Sequence, residues 1–185
     1  MTVEPSASGA LYPFISGVAK PNATVEIVDD TGTVRASVPA DAEGAWSADD
    51  LSEGACATSA SDYLGAGAHT VAARQRVGEL LSPLGSAQAI EIAPPPQIVS
   101  PQDGSTVSAS GFGLALRGAP LQDVQRIKLP DTSPCRTDRM TLDGTGSLSR
   151  SFSVPHAQQV TIGVRYIDWA TGRHGPAVFT TFQAE

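Results

Sequence analysis

Apolar and polar residues alternate with period two along most of this chain, and no window carries the 3.6-residue period of an amphipathic helix. In the first half the alternation predicts strands at 12–18, 24–30, 33–38, 44–48, 68–77 and 86–92. In the second half it predicts strands at 97–100, 105–108, 111–117, 124–130, 138–142, 147–154, 159–168 and 176–183. Within VEIVDDTGTV, Val25 and Ile27 point to one face and Thr24 and Glu26 to the other. Asp30-Thr31-Gly32 then reverses the chain, and Val34 restarts the alternation. Asp and Gly tolerate the positive φ of tight turns, so this stretch reads as a hairpin, as does Asp143-Gly144-Thr145-Gly146. A calcium loop would need oxygen ligands at alternating positions and a distal bidentate Glu, a spacing that Asp29-Asp30 does not begin.

Between the two runs of strands lies Pro94-Pro95-Pro96, a stiff, extended segment that cannot continue a sheet interior. Two sets of short strands on either side of it indicate two β-sandwiches in tandem. The expected division is a domain at 1–93, a linker at 94–96 and a second domain at 97–185.

Composition narrows the class. The 185 residues are 41% hydrophobic with 18 Gly and 14 Pro, which suits many short strands joined by turns rather than a disordered chain. Aromatics are only 5%, so the cores must be built largely from Val, Ile, Leu and Ala. The net charge of −7, with 12 scattered basic residues, argues against nucleic acid and anionic membrane surfaces as partners. No apolar run approaches the ~20 residues needed to span a bilayer, so membrane insertion is not expected. The opening MTVEPSASGA has no basic region followed by an apolar stretch, and so does not read as a secretory leader.

One resemblance is specific. Gly17, then Pro21-Asn22-Ala23-Thr24-Val25, then Asp41-Ala42-Glu43-Gly44-Ala45-Trp46, then Gly67-Ala68-His69-Thr70-Val71 resemble the bacterial immunoglobulin-like (Big-type) repeats of surface proteins. The match covers most of residues 9–92 and departs at 49–66, where the loop is longer than usual. The second half matches weakly, through IVSPQDGSTV. The resemblance implies an all-β chain of two tandem immunoglobulin-like β-sandwiches joined by a proline-rich linker. It also implies Trp46 as a core plug and His69 as a structural strand residue.

No arrangement of residues points to catalysis. His69, His156 and His174 have no zinc-site spacing, and there is no nucleophile elbow or phosphate loop. The chain is therefore expected to be non-enzymatic, with no catalytic residues, no metal ligands and no cofactor. Asn22-Ala23-Thr24 is a sequon in form, but it coincides with the repeat signature and reads as structural. Asp41, Glu43, Asp49 and Asp50 read as solvated loop charges.

Five residues are candidates for partner contact. Leu80, Leu81 and Leu84 form a small apolar cluster in GELLSPLG, expected at the pole opposite the linker. The competing expectation is that these leucines fold down to cap the sandwich. Trp169 and His174 lie on an expected hairpin tip, facing the long 49–66 loop. Cys56 and Cys135 lie in loops expected at opposite poles of different domains. A disulfide needs Cα atoms within about 7 Å, so both are expected as free thiols.

These features point to a structural or adhesive module of a bacterial cell-surface protein, acting as stalk or binding tip. Its partners would be a protein, a surface glycan or neighbouring subunits of an assembly. A phage virion component, such as a head decoration or tail-fibre protein, is an alternative favoured by the initial Met close to the first strand. A carbohydrate-binding module of a secreted enzyme is a third, requiring Trp169 and Tyr166 as an exposed platform.

Overall fold

The structure, a computed structural model, describes residues 2–3, 11–48, 64–129 and 138–185. Cys56, Cys135, Asp49, Asp50 and all of the 49–66 loop except 64–66 lie outside the described residues. Among those described, Thr2–Pro94 with Arg173–Gly175 form one compact unit, and Pro95–Gly172 with Pro176–Glu185 the other. Both units are all-β.

The first unit holds strands β1 (Thr2–Val3), β2 (Ile15–Val18), β3 (Thr24–Asp29), β4 (Val34–Pro39), β5 (Ala45–Ala48), β6 (Gly67–Val77), β7 (Leu80–Leu81) and β8 (Gln88–Ile92). One sheet has the order β1-β2-β5. The other runs β4-β3-β6, with β7 and β8 both paired to β6. Because β8 pairs with 67–71 and β7 with 76–77, the two behave as one edge strand interrupted at 82–87. Ser82 N–H to the Gln75 carbonyl (2.9 Å) and Gly85 N–H to the Ala73 carbonyl (2.8 Å) keep the interruption tied to β6.

The second unit repeats the plan with β9 (Gln97–Ser100), β10 (Thr106–Val107), β11 (Phe112–Arg117), β12 (Asp123–Leu129), β13 (Asp138–Thr141), β14 (Ser147–Phe152), β15 (Gln158–Tyr166) and β16 (Val178–Ala184). Its sheets are β9-β11-β14 and β13-β12-β15-β16-β10. Its opening strand is split between them: β9 pairs antiparallel with β11, and β10 pairs parallel with β16. Asp103 and Gly104 make the crossing, fastened by Gly104 N–H to the Thr181 carbonyl (2.7 Å) and Thr181 N–H to Asp103 Oδ1 (2.8 Å).

This strand order is an immunoglobulin-like sandwich in each unit, with one departure from the constant-type arrangement. The strand that would there extend the first sheet pairs instead with its predecessor: β4 on β3 and β13 on β12. The expected strands match to within a few residues. The alternation missed β1, which is too short to show a period, and β7, which a Pro-Gly-rich setting disguised as loop.

Each sandwich is filled from its inward-facing positions. In the first, Ile15, Val25, Ile27, Val71, Ile90 and Ile92 form one core cluster with Trp46. Gly17 pairs with Trp46 across β2 and β5, and a Cβ there would sit 2.7 Å from the indole. The glycine therefore lets the ring lie flat beneath β2, where an aromatic buries roughly 150–250 Å². In the second, Phe112 packs edge-on to Phe182, with ring centroids 5.1 Å apart, above Leu114, Leu116, Ile162 and Val164.

Candidate functional site

Three five-residue turns share one construction. In Asp29–Thr33, Asp41–Ala45 and Asp143–Ser147, the aspartate N–H bonds the carbonyl of the fifth residue, and the fourth residue's glycine N–H bonds the aspartate carbonyl. Gly32, Gly44 and Gly146 supply the positive φ, at 84°, 87° and 77°. Asp29 Oδ1 accepts from Thr31 N–H (2.9 Å), the Thr31 hydroxyl (2.6 Å) and Thr33 N–H (2.9 Å). Its Oδ2 accepts from Arg35 Nε at 2.7 Å. Asp41 and Asp143 bind their own turns in the same way. These carboxylates build turns, and Asp41, expected as a solvated loop charge, is corrected to a turn-former because its Oδ1 accepts the Glu43 and Ala45 N–H groups.

The hydrogen bond from the Thr31 hydroxyl, helped by Arg35 and the Thr33 N–H and opposed by burial, holds the Asp29 carboxyl far below the usual carboxylate range. Asp143 is lowered as well, chiefly by the Thr145 hydroxyl. A depressed folded-state pKa means that the unfolded chain takes up the proton first on acidification. The stabilisation is thus complete above the unfolded value of about 4 and is lost as pH falls below it. Asp29→Asn is expected to lower the melting temperature at pH 7 and to flatten its fall between about pH 4 and pH 2. An unchanged acid limb would show that the turn carboxylate is not linked to folding.

Two of these turns, at Asp41 in the first unit and Asp143 in the second, join strands of different sheets, so the expected hairpin at Asp143 is instead a sheet-to-sheet turn, and each braces a neighbouring loop. Ala19 N–H bonds the Gly44 carbonyl (2.8 Å) and Asn22 N–H the Asp41 carbonyl (3.1 Å). In the second unit Gly118 N–H bonds the Gly146 carbonyl (2.8 Å) and Leu121 N–H the Asp143 carbonyl (3.1 Å). Pro21-Asn22 and Pro120-Leu121 thus occupy matching places. The sequence hid this match because leucine stands where the first unit has asparagine.

On the outer face of β3, Glu26 is held between Arg74 Nε (2.7 Å) and Arg76 Nη2 (2.6 Å). These bonds, Arg76's first, keep its carboxyl below the usual range. In the second unit Arg126 reaches from β12 to lie over the Phe152 ring at 4.2 Å and pairs with Asp138. Arg165 is fully buried, its Nε 2.7 Å from Gln125 Oε1. Each of these charged groups is committed to holding strands together.

The candidate contact residues separate into two groups. Leu80, Leu81 and Leu84 are 79%, 43% and 51% exposed, so the expectation that they cap the core is overturned. The reason is the turn: Gly78, at φ 60°, closes a two-residue hairpin, which puts Leu80 and Leu81 on the edge of β6 rather than over the sandwich. This hairpin lies at the end of β6 opposite the one where Gly67 meets Ile92, the last residue of β8. The other group is enclosed. His174 is 6% exposed and offers a partner almost no surface, while Trp169 is half-buried with its indole N–H buried and without an acceptor among the described residues. Tyr166 is a core residue whose hydroxyl accepts the Ala119 N–H at 2.7 Å, so the sugar-stacking platform of Trp169 and Tyr166 does not exist. His69 is structural, its Nε2 2.7 Å from the Gly65 carbonyl.

Alternation could not have found a second surface feature, distinct from the hairpin. Val18 is 80% exposed at the end of β2. It lines a groove of about 510 Å³ in the first unit together with Pro83, the almost wholly buried Trp46 and Val25, and the polar Arg74, Gln75 and Gln88. Lys20 lies on its rim, and no carboxylate is among its lining residues. Leu81 and Leu84 flank Ser82-Pro83 in sequence.

No family model matches the chain, and no curated protein matches it. Solved structures similar to it include a tetra-tandem repeat from the extending region of a large adhesion protein (16% identity, 99% of this chain and 47% of that one, TM-score 0.31). Others are the D0-D1 domain of intimin (14%, 97% and 93%, 0.35) and a two-domain fibronectin type III segment of chicken tenascin (9%, 99% and 98%, 0.34). The chain spans about half the length of the first of these. Scores this low do not add to the fold assignment, which rests on strand order.

Proposed function

We propose that this chain is a non-enzymatic structural and adhesive module of a bacterial cell-surface protein, making its contact through the β6–β7 hairpin of the first unit. The observation that carries this reading is the exposure of Leu80 and Leu81 on a short hairpin, with Val77 beside them and Leu84 exposed in the segment that follows. Apolar side chains gathered at an exposed tip are a common mark of protein contact. The signature residues Gly17, Trp46, Asp41 and Gly44 support the surface-repeat part, since each has a definite structural use in the sandwich. The partner class is a protein, or a glycan-bearing surface with apolar patches.

Replacing Leu80 and Leu81 by Ser tests it. The double variant is expected to change stability by less than about 1 kcal/mol, because both side chains already meet water. Attachment of beads coated with it, to cultured cells and to immobilised matrix proteins, is expected to fall several-fold relative to wild type. Undiminished attachment would remove the hairpin from the contact, and a large stability loss would return the leucines to the core.

A further inference from the structure

Among the described residues, Asn22 and Leu121 are the two other than glycine with positive φ, at 59° and 61°. Asparagine adopts this conformation readily, whereas leucine gains nothing there and sets its Cβ against a carbonyl oxygen. The Leu121 side chain is also 70% exposed, so burial in its own unit does not offset the strain. Both costs attach to one residue, at a place where the first unit carries a polar, well-suited one. Burial against another molecule would recover the second cost and give a reason for the first.

We propose that Leu121 is the knob of a head-to-tail contact between copies of this chain, seated in the groove beside Val18 of the next copy's first unit. Both halves of such a contact are present. The groove, of about 510 Å³, has room for a leucine: the exposed Val18 and Pro83 supply apolar surface, Trp46 and Val25 are almost wholly buried, and Arg74, Gln75, Ser82 and Gln88 make much of the rest of its lining polar. The charges complement: Lys20 stands on the groove rim, while the exposed Asp143 carboxylate lies in the turn that binds Leu121's own N–H. That turn uses Asp143 Oδ1, and Oδ2 meets no donor among the described residues. Knob and groove are different surfaces on different units, so the contact is heterologous, and repeating it adds copies in a row or closes them into a ring. A knob of this size buries much less than the ~1,200 Å² of a standard interface, so the association is weak and concentration-dependent.

Sedimentation velocity at protein concentrations up to roughly 1 mM, the range of weak contacts, tests it. Wild type is expected to associate increasingly as its concentration rises, in an open row or a closed ring. Leu121→Asn, which keeps the groove, and Val18→Asp, which keeps the knob, are each expected to remain monomeric alone. Mixed in equal amounts they are expected to form a dimer and stop there, because the mixture holds one intact knob facing one intact groove. Leu121→Asn is also expected to melt at a higher temperature than wild type, separating relief of strain from loss of contact, and Leu121→Gly to behave likewise. The Leu80→Ser/Leu81→Ser variant is expected to associate as wild type does, which distinguishes this contact from the hairpin surface. A monomeric wild type, association undiminished in either single variant, or no dimer in the mixture would overturn the proposal. So would a fall in melting temperature for both Leu121 variants.

Discussion

Replacing Trp46 by Ala is expected to destabilise the first unit by about 3–5 kcal/mol, the usual cost of removing a large buried aromatic without collapse of the site. Against a total domain stability of about 5–15 kcal/mol, this is a third or more of what holds the sandwich folded. Little collapse is expected, because the indole spans the space between β2 and the β3–β6 sheet and borders clefts on both sides of the sandwich. Gly17 supplies an internal control. Gly17→Ala places a Cβ 2.7 Å from the ring in the wild type, an overlap expected to cost about 1–3 kcal/mol. With Trp46 already Ala, the same change is expected to cost little. A double-mutant cycle by chemical denaturation therefore reads the Gly17–Trp46 coupling directly. Additive losses would show that the glycine serves the strand rather than the ring.

Gly44→Ala is expected to cost about 2–5 kcal/mol, from a positive φ of 87° worth ~1–2 kcal/mol and an overlap of the new Cβ with the Ala19 carbonyl oxygen worth ~1–3 kcal/mol. Gly32→Ala has nearly the same φ, 84°, but nothing lies within 4 Å of its Cβ position. Its cost is expected to be the conformational part alone, about 1–2 kcal/mol. In a unit of this size each kcal/mol moves the melting temperature by roughly 4–8 °C, so the two variants are readily told apart. Gly146→Ala repeats the test in the second unit, where the Cβ would meet the Gly118 carbonyl oxygen. Equal losses for Gly32 and Gly44 would mean that the brace between turn and loop is not tight.

Much of this was legible in the chain because the physics involved is local. Asp-x-x-Gly closes a tight turn through bonds spanning five residues, so Asp29 and Asp143 announce their turns without reference to anything distant, whereas Asp41, read as a solvated loop charge, builds a turn of the same kind. Strand alternation is equally local, since one buried face imposes it residue by residue. The candidate contacts were less legible. Leu80 and Leu81 read as caps at least as well as tips, and the decision came from Gly78, whose left-handed turn aligns them with Val77 and Arg76 on β6. His174 reads as a tip residue from Gly172-Arg173-His174-Gly175, yet it is buried. Alternation alone would leave Arg165 in water, whereas it is enclosed and bonded to Gln125.

By itself the sequence determined the all-β class, the positions of most strands, the turns after Asp29 and at Asp143, and the burial of Trp46. Each follows from neighbours in the chain or from the transfer of a large apolar side chain out of water. Tertiary structure alone decided which strand pairs with which, including the split of the opening strand between β9 and β10 and the placing of β4 on β3. It also decided that Leu121 matches Asn22, that Val18 and Pro83 line one groove, and that Glu26 serves two arginines 48 and 50 residues away. Those outcomes depend on sheet register and on the packing of distant segments, which a one-dimensional pattern does not contain. Exposure is the clearest case: a leucine carries the same letter on a surface as in a core, and only the assembled sandwich assigns it to one or the other.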